Sequence, residues 1–346
     1  MEDLNELLAE VLKQHDVPSL AAAVVFDGEV HAAGAVGVRK RGDDTLVTVN
    51  DKYHIGSCTK AMTATLAGIL VERGLLSWET ALLEVFSDME IHPGYQNVTL
   101  KPLLSHTAGM PAFTDTEAED PELVDTVFSV NGVPMNDRLG VVVPALLRRE
   151  PHALPGNTFE YSNMGYVTAG AIFERVTQTP FETLLGAEMF TPLGLTSAGF
   201  GAAGTVGKTG EPYGHDPEPV EPGPEADNPP VISPAGCVHT SITDFARHAA
   251  FHLTGEPKLV SKETLEVLHT PVTDLCALGW GVFESDWAPG KLLGHAGSNN
   301  RSRAVNLLAP ALGFAVVAAC NSGTDEASEA LGDIVQTAKR RFLNIK

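Results

Sequence analysis

A serine at position 57 and a lysine at position 60 stand one helical turn apart in Tyr53-His54-Ile55-Gly56-Ser57-Cys58-Thr59-Lys60. An i, i+3 spacing places both side chains on one helical face, within reach of a shared proton. Ser57 falls in the first turn, where unpaired backbone N–H groups and the helix dipole favour developing negative charge. A serine hydroxyl is a weak nucleophile and needs an adjacent base, which a desolvated lysine can supply. In isolation the pattern reads more simply as a capping serine beside a solvated lysine, because so short a match recurs by chance. Two further segments carry complementary groups. The stretch from Pro155 to Tyr166 is a turn followed by Tyr161-x-Asn163 and a helix. Tyr161 offers a phenolic proton carrier, and Asn163 an amide that both donates and accepts. Gly294-His295-Ala296-Gly297-Ser298-Asn299 ends an expected strand in small residues, which let a substrate backbone lie close.

Other reactive side chains read as packing. His248 and His252 are i, i+4 on one expected helix, a spacing that can bind zinc, but no Glu lies between them as in H-E-x-x-H and no third ligand is evident. Cys58 follows Ser57 in the helix, points about 100° away from it, and reads as a buried thiol. Trp280 is expected to fill core or line a cleft.

The elements that must position these groups follow from periodicity. Residues 3–15 carry Leu4, Leu7, Leu8, Val11 and Leu12 on one helical stripe. Leu20–Phe26 and Val30–Val38 are apolar runs split by Asp27-Gly28-Glu29, a hairpin signal. Strands are expected at 277–284, 291–297, 303–308 and 314–319, and a last helix at about 325–343. Helices are expected near 57–73, 98–105, 140–149, 164–177, 180–190 and 242–254. Residues 201–234 are rich in Gly and Pro and lack periodicity. The reading is an α+β fold: one antiparallel sheet built from both ends of the chain, with flanking terminal helices and an inserted helical domain. The sheet domain is placed at 1–75 and 235–346, the helical domain at 76–234.

Composition narrows the function. The 346 residues include 23 Lys+Arg and 44 Asp+Glu, a formal net charge of −21. Such acidity opposes nucleic acid and anionic membrane surfaces and suits small or cationic partners. With 43% hydrophobic residues the chain can bury a core. The acidic start gives no signal-peptide pattern, no apolar run is long enough to span a membrane, and four widely spaced cysteines suggest buried thiols. A cytoplasmic protein is expected.

Ser57-x-x-Lys60, Tyr161-x-Asn163 and His295-x-Gly297, in this order and spacing, resemble the motifs of the penicillin-recognising serine hydrolases. The likeness is to the class C β-lactamase-like branch, with its β-lactamase-fold esterases, D-aminopeptidases and DD-peptidases. Leu103 to Met110, Thr191 to Leu195, Pro234-Ala235-Gly236 and Gly279-Trp280-Gly281 support it, so that it covers about residues 5–340. The resemblance implies a β-lactamase/transpeptidase-like fold with Ser57 as the acylated nucleophile. Lys60 and Tyr161 would share acid–base work, and either could take the first proton. Asn163 would orient the substrate and Lys60, and the N–H groups of Ser57 and Ser298 would form the oxyanion hole. No metal or cofactor is implied. The partner is a small acyl substrate, ester or amide; the oligomeric state is open.

The third motif departs from the Lys-Thr-Gly of many β-lactamases: His295 and Ala296 stand where a lysine and a threonine would hold a substrate carboxylate. Lys208-Thr209-Gly210 is rejected as that motif because it lies in the Gly/Pro-rich loop without a strand pattern. The same stretch is no P-loop, since Ala202 stands where the first glycine is required. Arg301 or Arg303 could replace the missing lysine as a carboxylate clamp, against a reading as turn arginines. The expected activity is a carboxylesterase on short acyl esters. Alternatives are a D-amino-acid peptidase or amidase, a weak β-lactamase, and a catalytically silent binding or sensor scaffold. Acidic runs at Asp115, Glu117, Glu119, Asp120, Glu122 and Asp125, and from Glu211 through Asp216, Glu218, Glu221, Glu225 and Asp227 to Asp244, are expected to give the site a negative mouth.

Overall fold

The computed structural model describes residues 1–114, 120–156 and 158–345. Its strands are β1 (Glu2–Asp3), β2 (Ser19–Phe26), β3 (Glu29–Gly37), β4 (Lys52–His54), β5 (Gly199–Phe200), β6 (Gly214–Asp216) and β7 (Glu218–Val220). They continue as β8 (Val238–Ser241), β9 (Cys276–Ala277), β10 (Trp280–Phe283), β11 (Leu292–Ser298), β12 (Arg303–Ala309) and β13 (Phe314–Cys320). The longer helices are α1 (Asn5–Leu12), α2 (Thr59–Glu72), α3 (Pro121–Ser129), α4 (Asn163–Thr177), α5 (Ile242–Thr254), α6 (Lys262–His269) and α7 (Asp325–Leu343).

Asp27 and Gly28 both take positive φ (46° and 83°), the geometry a two-residue hairpin needs, and they join β2 to β3 as the sequence indicates. Strands from both ends of the chain then form one sheet in the order β1-β3-β2-β13-β12-β11-β10-β9. All its pairings are antiparallel except that of the short β1 with β3. β2 is apolar on both sides because both sides are covered. Ala21, Ala23 and Val25 enter the core shared with Phe245 and Ala249 of α5. Leu20, Ala22 and Val24 enter the core shared with Leu4, Leu7 and Leu8 around α1 and Ala330 and Ile334 of α7. The period of two in the strand thus supplies both cores. A second sheet, β4-β8-β5, leads directly into the segment that carries Ser57.

α7 begins and ends where the sequence places it and buries one apolar stripe, Ala327, Ala330, Leu331, Ile334, Val335 and Ala338. Other expectations need correction. The helix expected from 57 begins at Thr59, after a short 3-10 turn over Gly56–Cys58. The helix at 140–149 shrinks to Val143–Leu147 behind a π-turn at Arg138–Val142. The stretch 201–234 is not featureless: it holds the β6–β7 hairpin and short turns at Pro224–Ala226 and Pro230–Ile232. α3 and α6 had no counterpart in the sequence reading. α3 hides inside an acidic run, where Asp120 caps it by accepting from the Glu122 N–H and Pro121 opens it. The four cysteines are free and buried. Among the described residues no helix is long and apolar enough to cross a membrane.

Candidate active site

β4 delivers the chain to Ser57, and Ile55 fixes its exit by donating its N–H to Val238 O (2.9 Å). The turn lies backbone to backbone against the end of β11, and this is why both positions are glycine. A Cβ on Gly56, whose φ is +50°, would sit 2.2 Å from Ser298 N; one on Gly297 would sit 2.0 Å from Ile55 O. Asn299 N–H donates to Ser302 O, so alternation makes Ser298 and Arg303 a non-hydrogen-bonded pair. The Ser298 N–H is therefore turned away from β12, toward the Ser57 turn. The Ser57 N–H, in the first turn of the helical segment, lacks an intrahelical acceptor. Two backbone donors converge where a developing oxyanion could sit.

Lys60 is fully buried on α2. Its Nζ donates to Ser57 Oγ (3.0 Å), Asn163 Oδ1 (2.7 Å) and Ala235 O (2.7 Å). Among the described residues no carboxylate lies within ion-pair distance of it, and burial lowers its pKa from 10.5 to about 7. Tyr161 OH donates to Ser57 Oγ (2.7 Å), and burial raises its pKa well above the usual phenolic value. Asn163, at the start of α4, is aimed by its own donation to Phe113 O (2.8 Å). The structure thus brings Ser57, Lys60, Tyr161 and Asn163 into one hydrogen-bonded cluster, with His295, Ala296, Gly297 and Ser298 along its edge.

His295 supplies no cation at the third motif. Its Nδ1 donates to Ala296 O (2.6 Å), and burial and then the Lys60 charge push its pKa down to about 4. His106, a residue the sequence reading did not single out, stacks on the Tyr161 ring (centroids 4.4 Å, 28°) and accepts the Ser162 N–H at Nδ1 (2.9 Å). Burial keeps it neutral. Its only signal in the sequence was its place in the Leu103 to Met110 segment.

The cluster opens into a cleft of ≈ 1170 Å³ walled by Phe113, Phe128, Val130, Val231 and Ile232. Glu225, Asp227 and Asp137 line it, as do Arg301 and Arg303. Arg303 is committed elsewhere, to Gly323 O (2.8 Å) and Asp325 (3.2 Å). Of the acids expected to give the site a negative mouth, Glu225 and Asp227 line the cleft, and others are placed elsewhere or paired. Asp115, Glu117 and Glu119 lie outside the described residues. Glu122 and Asp120 pair with Arg149. Glu211 pairs with Lys52 and Glu221 with Lys40. Asp244 is buried, accepting from Ser197 and pairing with Arg247. Lys208-Thr209-Gly210 lies away from the cleft, with Thr209 held by Arg39 and Asp43.

Cys58 is buried behind the turn, its Sγ donating to His295 O (3.4 Å), and burial raises its pKa to about 12. His248 and His252 are packing residues in a buried cluster with His269 and Trp280; His252 Nδ1 lies 3.0 Å from His269 Nε2.

The sequence profile of the Beta-lactamase family matches residues 4–339. The chain belongs to that family. It is a serine hydrolase family with the β-lactamase fold, and the mixed α/β architecture with its large sheet is that fold. Penicillin-binding protein 4 of Amycolatopsis lactamdurans is 29% identical, with 93% of this chain and 87% of that protein aligned. An unguisins hydrolase of Aspergillus campestris is 25% identical over 93% of this chain and 61% of that protein. Among solved structures, a D-stereospecific amidohydrolase from a Streptomyces species superposes with a TM-score of 0.74 at 19% identity, covering 99% of this chain and 98% of that one.

Proposed function

We propose that the protein hydrolyses acyl compounds through an acyl-enzyme on Ser57. The observation that carries this reading is a serine hydroxyl held at 3.0 Å by a buried lysine, which has no carboxylate partner among the described residues, and at 2.7 Å by a tyrosine. With its pKa near 7, Lys60 is available as a free amine at neutral pH. It takes the Ser57 proton as Oγ attacks the acyl carbonyl, and the Ser57 and Ser298 N–H groups bind the oxyanion. Tyr161, held protonated until then, donates its proton to the leaving oxygen or nitrogen, and the new Lys60 ammonium stabilises the phenolate. In deacylation the phenolate takes a proton from water, whose oxygen attacks the ester. Ser57 Oγ leaves and recovers its proton from Lys60, so that every group returns to its starting state.

The preferred substrates are neutral short-chain esters, making the activity a carboxylesterase. A neutral His295 beside Ala296 gives no fixed charge or hydroxyl for a substrate carboxylate, which disfavours penicillins. The names of the relatives support a second reading, an amidase on D-configured amides. Parallel assays with p-nitrophenyl butyrate, a D-alanyl anilide and a chromogenic cephalosporin rank these classes, the butyrate ester being expected to turn over fastest. Ser57→Ala is expected to lose at least ~10³-fold. Retained activity in that variant excludes the mechanism, and absence of a fluorophosphonate adduct on Ser57 favours a silent scaffold.

A further inference from the structure

His54 stands three residues before Ser57 and has no part in the acid–base cluster. Its Nδ1 accepts the Gly56 N–H (3.1 Å), which fixes the left-handed residue of the Ser57 turn. With Nδ1 accepting, a neutral ring carries its proton on Nε2, and Nε2 lies 2.7 Å from Asp227 Oδ1. The approach is oblique to the ring N–H direction, so the contact is more electrostatic than directional. Both side chains are only 4% exposed. Asp227 comes from the Gly/Pro-rich stretch that walls the cleft, and the same Oδ1 accepts from Asn299 Nδ2 (3.3 Å) and Asn228 N (2.7 Å). Asn299 directly follows Ser298. One carboxylate oxygen therefore reaches both halves of the oxyanion site, through His54 to the Ser57 turn and through Asn299 to the end of β11.

Stability alone does not account for this arrangement. A buried carboxylate is costly unless its lone pairs are answered, and Asp227 Oδ2 has no partner among the described residues. An apolar pair of similar size would close the loop more cheaply. We infer that His54 and Asp227 are a positioning pair, which sets the Ser57 and Ser298 N–H groups at the spacing the transition-state oxyanion requires. Neither residue touches the reacting atoms. The inference rests on the acyl-enzyme reading above. It adds that the acidic loop is part of the catalytic frame as well as a wall of the cleft.

The test uses the full chain, p-nitrophenyl butyrate turnover and the rate of fluorophosphonate labelling at Ser57. His54→Leu and Asp227→Ala are each expected to lower kcat and the labelling rate by about 10- to 100-fold, the scale of a misplaced reacting group, with KM within about twofold. Because the two act as one unit, the double variant is expected to be no worse than the poorer single one. His54→Asn keeps an acceptor near the Nδ1 position and is expected to recover part of the loss. His54→Gln reaches only toward Asp227 and is expected not to. Multiplying losses in the double variant, or equal kcat in the Asn and Gln variants, overturn the inference. The Asn and Gln pair decides the matter even where His54→Leu fails to fold. Wild-type protein that neither labels nor turns over rejects the acyl-enzyme reading instead, and this outcome is separate from active, labelled protein whose variants keep the wild-type kcat.

Discussion

At the scale of single residues, the proposed chemistry turns on a lysine deprived of water. Lys60 exchanges hydration for three acceptors, none of them charged, and its pKa falls from 10.5 to about 7. In the proposed mechanism the free amine is the working form, so kcat/KM for a neutral ester is expected to rise with pH through an apparent value near 7 and level off above it. A pH–rate profile checks this; a rate flat from pH 5.5 to 8.5 counts against Lys60 as the base. Ser57, Lys60, Tyr161 and Asn163 were legible in the sequence because they occur in two short patterns, followed in fixed order by a third, His295-x-Gly297. His106, Phe113 O and Ala235 O were not, since a stacked ring and a carbonyl acceptor acquire their roles only when distant segments meet. The choice between Lys60 and Tyr161 was equally closed to sequence. It depends on burial, which lowers one pKa and raises the other.

At the scale of elements, the cleft wall depends on a buried arginine. Arg138 is fully buried, paired with Glu174 and Glu182, and its Nη1 donates to Pro230 O (3.1 Å) and Val231 O (3.3 Å). It thereby fastens the Pro230–Ile232 turn to α4. Removing one partner strands buried carboxylate charge, so Arg138→Leu is expected to destabilise the protein by ~3–5 kcal/mol, measured by urea denaturation. A loss under 1 kcal/mol would show that the network contributes little. Strands and terminal helices were readable because burial on defined faces imposes a period: α7 and the hairpin of β2 and β3 followed it closely. Elements stabilised by capping or by polar anchors were not. α3 is capped by Asp120 inside an acidic run, and the turn at Pro230–Ile232 takes its place from Arg138, 92 positions earlier in the chain.

At the scale of the whole molecule, histidines set the pH range of the fold. Burial lowers the pKa of His106, His215, His239, His248, His252, His269 and His295. These groups gain protons on unfolding in acid, so the stability that goes with them is present above about pH 6.5 and is lost as pH falls below it. His15 has the opposite sign. Its Nε2 lies 2.9 Å from Asp333 and its Nδ1 2.8 Å from Glu326, which raise its pKa and join the chain after α1 to α7. That contribution is full below about 6.5 and is lost as pH rises through the raised value. Tm is therefore expected to fall steeply on acidification, and the deficit of His15→Gln to be larger at pH 6 than at pH 9. Calorimetry across that range checks both, and a pH-independent deficit rules out the His15 assignment. The order of the large sheet has a further consequence, for folding during synthesis. β13 lies between β2 and β12, so the N-terminal hairpin has no partner on its β2 edge until the ribosome has passed residue 320. Until then an apolar strand edge stays open, as a template for wrong pairing. The long-range closure of the sheet thus makes the nascent chain dependent on protection of that edge while the middle of the protein is being made.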